Sequence, residues 1–210
     1  MGRRLVCALL AALLSAACAS RGARSFAPAS EERAESALRA WEAFAARTGK
    51  AGDANLLYEA ALSQKLLRTG GTLAVRLRGE RVEGTLSGPF GSPIAVYEEG
   101  RLRGEKLEPL TLPARQLRAV LAGTWIGGPP TIAGIDGSEV LMRWVGEDAV
   151  EGVFDLGRGE LVSLRMDRPE GELTARFSGS RDPWPERIDI EERRSGSKLR
   201  LERIAAEWIP

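Results

Sequence analysis

The chain contains no histidine. That absence removes the commonest general base, the usual metal ligand and every Ser-His or Cys-His catalytic arrangement. Cysteine is scarce as well, with Cys7 inside an amino-terminal apolar run and Cys18 just after it. No disulfide and no cysteine metal site can then form in the rest of the chain. Net charge is also lacking, at +1 overall, and setting aside Arg3 and Arg4 leaves the acids one in excess. Charges of both signs are interspersed, so there is no footprint for a nucleic acid partner. Carboxylate-only and lysine-based chemistry survive these exclusions. The acidic pairs Glu98-Glu99, Glu147-Asp148 and Glu191-Glu192, however, sit beside turns and arginines and read as solvated faces. A binding protein without cofactor or metal is expected, not an enzyme.

What is present begins with an export pattern. Basic Met1-Gly2-Arg3-Arg4 precedes the apolar run Leu5–Leu14, which is too short to span a bilayer. Ser15-Ala16-Ala17-Cys18 follows and resembles the lipobox of bacterial lipoproteins, in which the cysteine is lipidated and becomes the first residue. Ser15 stands where leucine is commonest, and an ordinary signal cut nearby is the alternative reading. Residues 1–17 are thus expected as the leader. Residues 18–29, small and polar with Pro28, are expected as a tether, and 30–210 as one domain. The resemblance implies acylation of Cys18. Ala19, in place of Asp, implies sorting to the outer membrane, with the domain facing the periplasm.

Within the domain the hydrophobic period changes with position. Ser30-Glu31-Glu32 is a helix start, and Ala34, Ala37, Leu38, Trp41, Phe44 and Ala45 recur at helical spacing, which predicts a helix over 31–47. Period-two alternation then predicts strands at 56–62, 73–78, 82–86 and 94–97. A second amphipathic helix fits 112–124, with Pro113 in its first turn and Gly123 near its end. Residues 127–137 are rich in glycine and proline and read as a long loop without a phosphate-binding ending. Alternation resumes at 139–145, 150–156, 160–167, 172–178, 187–193 and 198–204. The fold class is therefore α+β, mainly β, with about ten or eleven antiparallel strands. A sheet that long curls strongly, and the two helices belong across its concave face. An incomplete barrel so covered encloses an apolar cavity suited to acyl chains. Its expected walls are Leu73, Val75, Leu77, Val82, Leu86, Ile94, Val96, Leu117, Leu121, Val140, Phe154, Leu173 and Phe177.

This arrangement resembles the LolA/LolB superfamily, and LolB-like outer-membrane lipoproteins in particular. The resemblance is carried by the order of lipobox, helix, meander, lid helix and strands. It is carried also by Ser87-Gly88-Pro89-Phe90-Gly91-Ser92-Pro93, by Leu110–Gly123, and by Pro185-Glu186-Arg187-Ile188-Asp189-Ile190, Leu199-Arg200-Leu201 and Trp208. It implies a half-barrel that takes acyl chains of lipoproteins or lipids from a periplasmic LolA-like carrier. It further implies that Gly88, Pro89, Phe90 and Gly91 form a membrane-insertion loop, with Phe90 where the family has leucine. Another lipid or glycolipid as cargo, or a structural envelope lipoprotein with a filled core, are the alternatives. For Phe90 the alternative is a plain turn with the ring folded back on the core. For Trp41, Phe44, Trp125, Trp144 and Phe177 it is solid core in place of cavity wall. The anchor is tested by Cys18→Ala, which should abolish metabolic labelling with palmitate and leave a soluble or uncleaved chain. Acyl label persisting in the membrane fraction would refute the lipobox.

Overall fold

The computed structural model describes residues 25–48, 52–65, 67–105, 107, 110–146, 149–181 and 184–209, so Cys18 and the leader lie outside the described residues. Helix α1 (Glu31–Thr48) has Glu31 and Glu32 in its first turn and Arg47 in its last, which suits both ends of the helix dipole. Its buried stripe of Ala37, Trp41, Phe44 and Thr48 follows the helical spacing. Six strands follow as a meander: β1 (Ala54–Gln64), β2 (Leu67–Arg78), β3 (Arg81–Ser87), β4 (Pro93–Glu98), β5 (Arg101–Arg103) and β6 (Leu110–Thr111). After helix α2 (Ala114–Ala122) comes a second meander. It comprises β7 (Thr131–Asp136), β8 (Glu139–Trp144), β9 (Ala149–Asp155), β10 (Glu160–Arg168), β11 (Gly171–Arg181), β12 (Pro185–Glu192) and β13 (Ser197–Trp208).

These thirteen strands form one antiparallel sheet, in the order β6-β5-β4-β3-β2-β1-β13-β12-β11-β10-β9-β8-β7. The first and last strands pair in its interior, from Ala54 opposite Trp208 to Ser63 opposite Lys198. The free edges are β6 and β7, the two strands that flank α2 in sequence. Inward residues alternate with outward ones: Leu56, Tyr58, Ala60 and Leu62 of β1 are buried, whereas Glu59 and Ala61 between them are exposed. The outward face carries cross-strand ion pairs, among them Arg143–Glu151 at 2.7 Å, Arg165–Glu172 at 2.8 Å and Arg200–Asp189 at 2.8 Å. Exposed pairs of this kind contribute only ~0–1 kcal/mol each. They do keep one face of the sheet wet.

The curved sheet under helices is the architecture expected, and several details differ. The strands number thirteen because β5, β6 and β7 add to the ten with a visible period. Strands of two or three residues show no alternation, and β7 lies inside the expected loop. Helix α2 is shorter than 112–124. Pro113 precedes it as N-cap, and Gly123 ends it with φ 61°, its N–H and that of Thr124 donating back to Val120 and Ala119 carbonyls. The stretch expected as tether is engaged before residue 29. The Ala27 N–H donates to the Ile135 carbonyl at 3.1 Å, and the Ile135 N–H donates to Ala27 at 2.8 Å. This short bridge covers part of the β7 edge, where unpaired backbone groups would otherwise invite another strand.

The face of β4 is also opposite to expectation. Ala95 and Tyr97 are buried, while Val96 is exposed and Ile94 only half-buried. The cause is a register shift: Ser87 pairs with Pro93 but Leu86 pairs with Ala95, which leaves Ile94 as the extra residue. Directly paired residues share a face, so Ala95 follows Leu86 inward and Val96 follows Thr85 outward. A one-residue slip moves every later side chain to the other face. One glycine has a clear steric duty. A Cβ on Gly71 would stand 1.9 Å from the Ser87 carbonyl oxygen, whereas one on Gly128 would meet open space. Gly71→Ala should therefore destabilise by ~2 kcal/mol or more, and Gly128→Ala by less than ~0.5 kcal/mol. Equal melting temperatures for the two variants in thermal unfolding would contradict that close approach.

Candidate functional site

The concave face holds two differently filled regions. Under α1 it is dense with rings: Trp41 lies 5.1 Å from Trp144 and 6.0 Å from Phe154, and Phe44 lies 5.5 Å from Phe154. Trp41, Phe44 and Trp144 are therefore solid core, and Phe177 is buried as well. Trp125 is half-buried outside this cluster, with the Arg115 guanidinium over its ring at 5.5 Å.

Beneath α2 the filling is aliphatic and leaves a gap of about 30 Å³. Its walls are Leu73, Val75, Gly84, Tyr97, Leu102, Leu110, Leu112, Leu117, Leu199 and Leu201. Of the expected wall residues, Leu73, Val75 and Leu117 thus meet at this cavity. Leu77, Val82, Leu86, Leu121, Val140, Phe154, Leu173 and Phe177 are buried elsewhere in the core, and Ile94 and Val96 have left the inner face. Tyr97, Leu102, Leu110 and Leu112 were not anticipated.

A site for a drug-sized ligand needs roughly 300–1,000 Å³, so the cavity as it stands is closed. A larger concavity, about 740 Å³, lies among Arg68, Arg176, Asp189, Glu191, Lys198 and Arg200 of the outward face. Several of those charges are already paired, with Lys198 at 3.1 Å from Glu191, and it offers no enclosed apolar wall.

The cover over the apolar cavity is held by side chains that reach backbone carbonyls. The Tyr97 hydroxyl donates to Leu112 at 2.5 Å, and burial pushes its pKa up to about 12. Arg168 donates to Thr111 at 2.5 Å. Arg118 of α2 donates to Gly79 and, at 3.2 Å, to Gly52, and Arg115 donates to Ile126 at 2.8 Å. Each of these bonds runs from a charged or phenolic donor to a neutral backbone carbonyl.

The loop of Gly88, Pro89, Phe90 and Gly91 is closed by hydrogen bonds from Gly91 N–H to Gly88 and from Gly88 N–H to Ser92, both at 2.9 Å. Gly91 adopts φ 76°, a conformation that L side chains rarely take. Phe90 is 97 % exposed, which excludes the ring folded back on the core. Among the described residues no cluster of three or more His, Cys, Asp or Glu could hold a metal ion.

A solved LolA superfamily protein from Nitrosomonas europaea superposes with a TM-score of 0.51 at 11 % identity, over 80 % of this chain and 94 % of that one. The chain has the LolA-superfamily fold. Two further solved structures are similar at TM-score 0.47. One is a candidate outer membrane lipoprotein-sorting protein domain from Vibrio parahaemolyticus, at 13 % identity over 83 % of this chain and 92 % of that one. The other is a DUF1329 family protein from Desulfovibrio piger, at 11 % identity over 81 % of this chain and 92 % of that one. No family sequence profile matches the chain, and no curated protein does.

One titrating group near the cover has a defined pH signature. Burial alone would raise the Glu192 pKa, but the hydroxyl and N–H of Ser195, the N–H of Arg194 and the charge of Arg168 outweigh it and hold it below 4.5. A carboxylate depressed on folding contributes stability above its unfolded pKa and loses it as pH falls through the folded value. Glu192→Gln should therefore lower the melting temperature at pH 7 and converge with the parent protein in strong acid. A difference that stays constant down the pH series would show that the charge is not what stabilises.

Proposed function

We propose that this protein binds lipid acyl chains between α2 and the concave sheet, and that it does so tethered to the outer membrane through acylated Cys18. The observation that carries the reading is the apolar cavity, walled by leucines, Val75 and the ring of Tyr97, under a short helix that links the two free sheet edges. Its rim of Leu110, Leu112 and Leu117 belongs to the cover, so displacing the cover enlarges the cavity with apolar wall already in place. Burying about ten methylenes contributes ~8 kcal/mol at ~0.8 kcal/mol each. That is ample to compete with a soluble LolA-like carrier, and the membrane beside the anchored protein is the final acceptor. The cargo is then an acyl-bearing lipid or lipoprotein, and the role lies in lipoprotein or lipid delivery in the cell envelope, not in catalysis. Phe90 fits this path. Its ring stands alone on a tight loop, and on a tethered protein it reaches an interface where aromatic rings settle with one side apolar and one side wet.

The small volume supports a second reading, a structural envelope lipoprotein whose core is filled by its own side chains. Native mass spectrometry of the purified protein separates the two. Acyl-bearing ligands should co-purify, and Leu117→Trp, which fills the cavity from the cover, should lose them. A ligand-free spectrum that gains nothing on incubation with fatty acid favours the structural reading. Phe90→Glu should keep acyl binding while slowing transfer of bound lipid to liposomes by about tenfold, as expected for ~1.4 kcal/mol lost at the interface. Unchanged transfer would reduce the loop to a turn.

A further inference from the structure

Beside Leu110 the apolar cavity gives way to a polar recess of about 320 Å³, whose walls include Lys65, Arg168, Glu170, Glu192 and Arg194. Leu110 lines both spaces. We propose that this recess is the subsite for an anionic headgroup, phosphate or carboxylate, of the lipid whose acyl chain lies under α2. The inference rests on the acyl-binding reading and narrows the ligand class within it.

Two features support it. Arg168 is 8 % exposed and is therefore a buried cation, a group that proteins keep only against an anion or a set of acceptors. Two of its bonds go to neutral carbonyls, Thr111 at 2.5 Å and Gly171 at 3.3 Å. Glu192, the carboxylate whose pKa feels Arg168, is engaged by the N–H groups of Arg194 at 2.9 Å and Ser195 at 2.8 Å. The balance of charge is the second feature. Lys65 and Arg194 are exposed at the rim together with Glu170, so among the described residues that line the recess the cations Lys65, Arg168 and Arg194 stand with the carboxylates Glu170 and Glu192, a lining that favours an anion. An apolar cavity that shares one leucine with a cationic recess matches an amphiphile with a charged head. A few convergent polar groups at the end of an apolar pocket are what fix a ligand's orientation. An anionic oxygen is also a stronger acceptor for Arg168 than the Thr111 carbonyl.

Calorimetric titration of the full chain with monomeric lysophosphatidylglycerol, lysophosphatidylcholine carrying the same palmitoyl chain, and inorganic phosphate tests this. The expected result is about tenfold tighter binding of the anionic lysolipid than of the zwitterionic one, as one added charge-assisted bond gives. The preference should vanish in Arg168→Gln and be largely restored in Arg168→Lys, with lysophosphatidylcholine affinity unchanged within about twofold. Should Arg168→Gln fail to fold, the Lys65→Gln/Arg194→Gln double variant, changed only at exposed positions, should halve the preference or better. Equal affinity for the two lysolipids overturns the headgroup site and leaves the acyl cavity standing. Binding of neither lysolipid overturns the acyl-binding reading itself. A preference that survives in every variant places headgroup recognition elsewhere. Inorganic phosphate binding as tightly as the anionic lysolipid makes the recess a site for a free anion, and overturns the link to lipid.

Discussion

The pairing of β1 with β13 governs the rest of the molecule. Because the first and last strands of the sheet lie side by side in its interior, each half of the chain must meander outward and end at a free edge. The chain passes from β6 at one edge to β7 at the other. A sheet with one wet face has one dry face, and the shortest route between the edges of a curled sheet crosses that dry face. Helix α2 is that crossing. Its nine residues cover roughly 13 Å, so it bridges the hollow without filling it. A lid over an apolar concavity is thus a consequence of strand order, before any question of ligand arises.

How the hollow is filled then differs along its length. Under α1, Trp41, Phe44, Trp144 and Phe154 meet edge to face, a geometry that packs rings without voids. Under α2, branched leucines meet the single ring of Tyr97, whose hydroxyl is fixed to Leu112. Leucines from a curved sheet and a short helix do not interdigitate fully, and the gap falls between them. One end of the molecule is consequently filled by interlocked rings, while the other keeps a small apolar gap.

The long strands were legible because their outward residues are charged and their inward ones apolar, as in Glu172 to Ser178. Helix α1 was legible from Ala37, Trp41 and Phe44. Three things were not. Strands β5 and β6 are too short to show a period. The bulge at Ile94 inverted the face of Val96 and brought Tyr97 inward, and no local pattern announces a single extra residue. Arg168 was not singled out, although Leu164, Met166 and Arg168 fall on the same inward face of β10 by simple alternation. For Phe90 the loop residues left two readings open, an outward ring and one folded back on the core, and the exposed ring on a turn closed by Gly91 decides for the first.

A closed cavity is compatible with a binding function only if the cover can move, and the bonds on the cover set how readily. Tyr97, Arg118 and Arg168 each hold a backbone carbonyl, and each such bond contributes about 1–3 kcal/mol net, since water replaces the lost partner on opening. The inward face of α2 is the larger obstacle. Val120 and Leu121 are fully buried and Leu117 nearly so, and exposing each side chain costs ~1.5–3 kcal/mol. Opening into water is therefore unfavourable by more than the hydrogen bonds alone would suggest, and an empty open state is scarcely populated. An acyl chain changes that balance, because it covers the same apolar face that the cover exposes. Loading and opening then belong to one step. On the acyl-binding reading the ligand would take the place of the sheet against Leu117, and the hydrogen bonds to Thr111 and Leu112, with those from Arg118, would be the part of the cover left to break.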